Sequence, residues 1–128
     1  TLGRAFSEIC KQRRIHHKLL TRNDLDITDE ASIASAVERY QPWAIINTAG
    51  YVRVDDAERD RSQCFRANTL GAKLLACAAA QYEIPLVTYS SDLVFDGGQE
   101  RAYVEHDSPR ALNAYGESKL LAEREVLK

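Results

Sequence analysis

Two short apolar runs, each introduced by a proline, constrain this chain more than anything else in it. Trp43-Ala44-Ile45-Ile46-Asn47 follows Pro42, and Leu86-Val87-Thr88-Tyr89-Ser90 follows Pro85. Between them lies an alanine- and leucine-rich helical stretch from about residue 61 to 82. Strands separated by a long helix pair in parallel through a crossover, and a continuous apolar run is the pattern of a strand buried on both faces. Upstream, residues from about 3 to 14 place Ala5, Phe6, Ile9 and Cys10 on one helical face, and Ile15 to Thr21 read as a further strand. A helix then starts near Asp29, capped by Thr28 or Asp29, with Ile33, Ala36, Val37 and Tyr40 as its apolar stripe before Pro42 stops it. Asp96-Gly97-Gly98 opens a loop that runs to a last helix from about Leu112. Helices alternating with strands predict a Rossmann-like, doubly wound parallel sheet in a three-layer α/β/α arrangement.

Composition restricts the class of function. The 128 residues suit one domain, residues 1–128, and the charged share of 28% is distributed rather than in blocks, with nothing that suggests disorder. Seventeen basic residues against nineteen acidic leave a net charge of −2 and no electrostatic case for nucleic acid or an anionic membrane. No apolar run approaches the roughly 20 residues of a membrane span. Cys10, Cys64 and Cys77 are odd in number and lack metal-ligand spacing, which points to a reducing cytoplasm and no structural metal. Asp55, Asp56 and Glu58 could ligate a hard cation but read better as charges at a helix N-terminus. His16 and His17, adjacent on an expected strand, face opposite sides.

The chemistry is concentrated near the second apolar run. Ser91 stands just past it, and Tyr115-Gly116-Glu117-Ser118-Lys119 follows on the last helix. Tyrosine and lysine four apart share a helix face one turn apart, so the Lys119 ammonium is expected to favour phenolate and pull Tyr115 down toward neutrality. Tyr115 then serves as general acid or base, and Ser91 donates a hydrogen bond to the substrate oxygen while charge develops on it. This is a residue set for proton-coupled hydride transfer at a carbonyl.

With Asp24-Leu25-Asp26-Ile27-Thr28-Asp29, Ile46-Asn47-Thr48-Ala49-Gly50-Tyr51-Val52-Arg53-Val54-Asp55-Asp56-Ala57-Glu58 and Asn68-Thr69-Leu70-Gly71-Ala72 in the same order, the chain resembles the extended short-chain dehydrogenase/reductases, and within them the dTDP-4-dehydrorhamnose reductases. The resemblance implies NADPH- or NADH-dependent reduction of the C4 keto group of a nucleotide-linked deoxysugar, with Ser91, Tyr115 and Lys119 as the catalytic triad and Ser91 and Asp92 toward the sugar nucleotide. It implies cofactor contacts at Asp26 and Ile27 beside the adenine, Ala49, Gly50 and Tyr51 on the nicotinamide side, Tyr89 beside the ribose, and Tyr115 and Lys119. Thr1, Leu2 and Gly3 correspond to the end of a glycine-rich turn that holds the pyrophosphate at a helix N-terminus. Arg22, at the tip of the expected Ile15–Thr21 strand, could meet a 2'-phosphate and so favours NADPH. The same resemblance implies a partial domain, lacking a first strand and the C-terminal substrate region. In the doubly wound order that strand is central, so exposed inner edges predict instability or association of copies.

Two other readings stand beside the reductase. Nucleotide-sugar epimerases and dehydratases share the triad, but the dehydratases carry a second acidic residue after the position of Asp92, where this chain has Leu93. The regulatory subunit of methionine adenosyltransferase keeps the same nucleotide fold and acts by binding a partner enzyme, because a fold can outlive its reaction.

Overall fold

The computed structural model describes residues 1–128. Helix α1 (Leu2–Gln12) begins at Thr1, whose hydroxyl accepts from the Arg4 N–H at 3.5 Å. Helix α2 (Glu30–Tyr40) is capped by Asp29, which accepts from the Ala31 N–H at 3.1 Å, and ends where Gln41 turns left-handed ahead of Pro42. Strand β1 (Ile45–Asn47) runs parallel to β2 (Leu86–Thr88), with Ile45 opposite Leu86 and Asn47 opposite Thr88. The crossover between them is one helical rod: α3 (Arg61–Phe65), a π-helical turn (Arg66–Leu70) and α4 (Gly71–Gln81). Helix α5 (Ala114–Val126) closes the chain. The expected parallel α/β crossover of Rossmann type is present.

Ile33 and Val37 of α2 and Leu75 of α4 form a buried core against which Ile45 and Leu86 pack. Only that face of the sheet is well covered. Ile46 and Val87, paired on the opposite face, remain 45% and 47% exposed. The expectation that the Trp43–Asn47 run is buried on both faces is therefore corrected, and Trp43 itself is 76% exposed. Burial of a strand on both faces needs a covering layer on each, and the core cluster that packs on this sheet, from α2 and α4, lies on the Ile45–Leu86 face, so the apolar run is half used.

Ile15–Thr21 forms no strand, a second correction. A strand persists through its ladder, and the sheet consists of β1 and β2 alone. The segment is tied to α1 instead: the Ser7 hydroxyl hydrogen-bonds His17 Nε2 at 2.8 Å, and His17 Nδ1 lies 3.0 Å from the Ile15 carbonyl. Within α1 the buried residue is Ser7, while Ala5 and Ile9 of the expected apolar face stay exposed.

Candidate active site

Ser91 and Tyr115 are brought together by a close approach of backbone to backbone. Ser91, extended at φ −148°, caps the 3-10 turn Asp92–Val94; its oxygen accepts from the Leu93 N–H at 3.2 Å and its hydroxyl donates to Asp92 Oδ1 at 3.1 Å. The first turn of α5 lies directly on this turn at Gly116. A Cβ there would stand 2.1 Å from the Leu93 carbonyl oxygen, so only glycine permits the contact. Two groups fix where α5 starts: Asn113 accepts from the Gly116 N–H at 2.7 Å, and Glu58 accepts from the Ala114 N–H at 2.6 Å. The acidic group at 55–58 is thus structural as expected, but it acts on a distant helix. Glu58 satisfies an N-terminal donor of α5, and Asp56 pairs with Arg53 at 3.5 Å.

Beneath Tyr115 lies a buried polar network. Asn68 and Ser118 are 3% and 0% exposed. Asn68 sits in the π-helical turn, where its Oδ1 accepts from the Tyr51 N–H at 2.7 Å and its Nδ2 donates to the Tyr51 carbonyl at 3.1 Å and to Ser118 Oγ at 2.9 Å. The Ser118 hydroxyl donates in turn to the Tyr115 carbonyl at 2.6 Å and accepts from the Cys64 thiol at 3.3 Å. Thr69 adds a bond to the Ser118 carbonyl at 2.8 Å, and Arg61 pairs with Glu117. One asparagine therefore locks the loop after β1 to the helix carrying Tyr115 and Lys119. Sequence reading assigned no role to Asn68, Ser118 or Gly116 and did not link Glu58 to α5, because the partners that matter lie 17 to 56 residues away.

The electrostatics correct one expectation. Burial holds the Tyr115 phenol above the ordinary tyrosine value of about 10. The Ser91 hydroxyl opposes that rise, though its hydrogen bonds are to Asp92 and the Leu93 N–H; Cys64 and Asp92 add to it. Lys119 is not among the groups that act on the phenol. The Lys119 ammonium is itself pushed down by burial, with Glu123 and Cys64 acting to keep it charged. Tyr115 is accordingly a neutral phenol at physiological pH rather than a phenolate.

One cavity is lined by Ser91 and another by Lys119, while Tyr115 lines neither. The larger, about 620 Å³, is lined by Ser90, Ser91, Asp92 and Glu123 among others, with Phe95 and Tyr103 stacked 4.2 Å apart in its wall. Its volume is that of a small-molecule site. The smaller, about 180 Å³, lies between the end of β2 and α5, and both Tyr89 and Lys119 line it.

The cofactor-side residues fall into two groups. Gly3, Ala49, Gly50, Tyr51 and Tyr89 gather at the carboxyl ends of the strands, where ligands of open parallel sheets bind. A Cβ on Gly3 would come 2.8 Å from Thr48 Oγ1, so α1 begins against the loop leaving β1; Thr1 and Leu2 at its start are exposed. Ala49 and Gly50 are also exposed, while the Tyr51 hydroxyl donates to Asp60 at 3.0 Å and Arg53 covers its ring at 5.2 Å. Tyr89 packs obliquely on Phe6. Arg22 and Asp26 form the second group and engage each other at 3.7 Å. Asp26 Oδ1 also accepts from the Thr28 N–H at 2.9 Å and the Thr28 hydroxyl at 2.8 Å, which hold its carboxyl below the usual range. The Ile27 side chain packs against the α2–α4 core and over Gly71, leaving its backbone for any ligand. No three His, Cys, Asp or Glu side chains are arranged to hold a metal ion, and no helix is long and apolar enough to cross a membrane.

The RmlD substrate binding domain family matches residues 1–128. A dTDP-4-keto-6-deoxy-D-glucose reductase of Streptomyces niveus is 41% identical over 108 residues, covering 84% of this chain and 38% of the relative. A dTDP-4-dehydrorhamnose reductase of Aggregatibacter actinomycetemcomitans is 35% identical over 127 residues, covering 98% of this chain and 43% of the relative. Among solved structures, a dTDP-4-dehydrorhamnose reductase ortholog from Clostridium acetobutylicum superposes with a TM-score of 0.94 at 31% identity, over 98% of this chain and 45% of that one. The Bacillus anthracis dTDP-4-dehydrorhamnose reductase, solved in complex with NADP, gives 0.81 at 34% identity, over 84% of this chain and 39% of that one. The chain thus spans less than half the length of these relatives.

Proposed function

The chain belongs to the RmlD substrate binding domain family, and from that membership we propose that it serves NAD(P)H-dependent reduction of the C4 keto group of a nucleotide-linked deoxysugar, with Ser91, Tyr115 and Lys119 as its reacting triad. The observation that carries the reading is the Ser91–Tyr115 pair. A serine hydroxyl lining a large cavity acts on a phenol that burial keeps protonated. Reduction of a ketone needs a proton donor at the carbonyl oxygen, and a neutral phenol is that donor. Ser91 releases its bond to Asp92 and turns its hydroxyl to the carbonyl oxygen, where the developing charge strengthens the new bond. Asp92 accepts from a sugar hydroxyl.

The residues present fit a nicotinamide coenzyme. Gly3 keeps the start of α1 close to the end of β1, the placement in which helix N–H groups receive a pyrophosphate. Lys119, half-buried beside Tyr89, has no ion pair and is free to hold ribose hydroxyls. The coenzyme supplies the hydride. The B. anthracis relative's NADP and the exposed Arg22 favour NADPH over NADH. The reductases among the relatives speak against the regulatory reading.

The test is coenzyme oxidation with dTDP-4-dehydrorhamnose. The wild-type protein should oxidise NADPH, and Tyr115→Phe should slow turnover by roughly a hundredfold or more. Wild-type rates in a folded Tyr115→Phe protein would overturn the role of Tyr115, and no oxidation by folded wild type would overturn the function.

A further inference from the structure

Three glutamates on α5 differ in their surroundings. Glu117 pairs with Arg61, and Glu125 pairs with Lys73 at 3.2 Å and with Lys128. Glu123 has no ion pair. It stands one turn beyond Lys119 and lines the same small cavity; with Ser90, it also lines the larger cavity beside Ser91. Residues four apart share a helix face, so the Glu123 carboxylate and the Lys119 ammonium open on one space between α5 and the end of β2.

We propose that Glu123 is a positioning residue for the reduction, holding the Lys119 side chain charged and directed along the cavity so that its ammonium meets the ribose hydroxyls and the Tyr115 side of the site. The proposal deepens the reductase reading and rests on it for its catalytic meaning. The charge balance around Lys119 supports it. Burial discourages the ammonium, Glu123 is the first group opposing that effect, and the buried Cys64 of α3 is the second. From the end of β2 the neighbouring titratable group is Tyr89, and on α5 it is Tyr115, on which Asp92 of the 3-10 turn acts. None of these neighbours is a cation, and none besides Glu123 is a carboxylate bordering the Lys119 cavity. A lysine that loses its single nearby carboxylate in a half-buried setting sheds its proton at lower pH.

The experiment is an alkaline NMR titration of the lysine side chains in the coenzyme-free protein, with Lys119 assigned from the Lys119→Arg spectrum. Glu123→Gln should lower the Lys119 midpoint by roughly 0.5–1 pH unit, and Glu123→Asp should lower it by less. Glu125→Gln, which breaks the pairs to Lys73 and Lys128, should leave it in place. In turnover, Glu123→Gln should raise the coenzyme KM more than it lowers kcat and move the alkaline limb of the pH profile downward. Coincident Lys119 titration curves for wild type and both Glu123 variants would overturn the proposal, as would equal shifts in Glu123→Gln and Glu125→Gln. The titration needs no turnover. A protein that reduces no sugar nucleotide refutes the function separately, and an unmoved Lys119 in an active enzyme refutes the role of Glu123 alone.

Discussion

The two halves of the site are held in different ways. Tyr115 and Ser91 are fixed by contacts between segments distant in sequence: Gly116 against Leu93, Glu58 on α5, and Asn68 bridging Tyr51 and Ser118. The first thirty residues carry expected coenzyme contacts at Thr1, Gly3, Arg22 and Asp26, and their polar contacts are mostly local. Ser7 is the one buried residue before Ile33. The residues proposed for proton transfer lie in the packed half. A coenzyme-binding surface resting on short-range hydrogen bonds and exposed ion pairs can adjust to its ligand.

Paired glycine substitutions test that contrast most severely. Gly116→Ala should cost about 3 kcal/mol or more in urea denaturation, because the new methyl meets backbone that cannot yield. Gly3→Ala meets the Thr48 hydroxyl and a Leu19 methyl, side-chain atoms that can turn aside, so its cost should stay below that of Gly116→Ala. Equal costs would erase the distinction. Next in size, Asn68→Ala removes the partners of a buried loop and of Ser118 and should cost about 2–3 kcal/mol. Hydrogen exchange at the Tyr51 amide should accelerate; an unchanged rate would show that the loop is held some other way.

A pH experiment probes the loop after the 3-10 turn. Asp107 is held down to about 2, first by the Arg101 side chain and then by the Val104 N–H. A depressed carboxylate pKa contributes stability that is present above the unfolded value of about 4 and is lost as pH falls toward 2. Exchange protection of the Val104 amide should therefore weaken across that interval, whereas protection constant to pH 2 would remove Asp107 from the account. The smallest stability effect belongs to Arg22→Ala, an exposed pair worth less than about 0.5 kcal/mol. Its expected signature is a loss of preference for NADPH over NADH, seen by calorimetry; an unchanged preference would detach Arg22 from the coenzyme.

Local pattern predicted the local outcomes. Asp29 caps α2 as its position before an apolar stripe suggested, and the rod from Arg61 to Gln81 occupies its expected span. Pairing could not be read locally. Ile15–Thr21 has strand composition but no ladder, and the Trp43–Asn47 run is apolar although one face stays open. The π-helical turn that aims Asn68 leaves no periodic signal, and Gly116 shows its necessity only against Leu93. Spacing put Lys119 one turn from Tyr115 on α5 but misjudged the electrostatics, because burial, and not Lys119, sets the direction of the phenol's shift.

The central claim is that Tyr115 is a protonated donor beside Ser91, and a 13C NMR titration of the Tyr115 ring in the coenzyme-free protein tests it most directly. The account predicts a midpoint above about 10, moving higher in Ser91→Ala as the opposing influence of that hydroxyl is lost. A midpoint near neutrality, unmoved by Ser91→Ala, would contradict it.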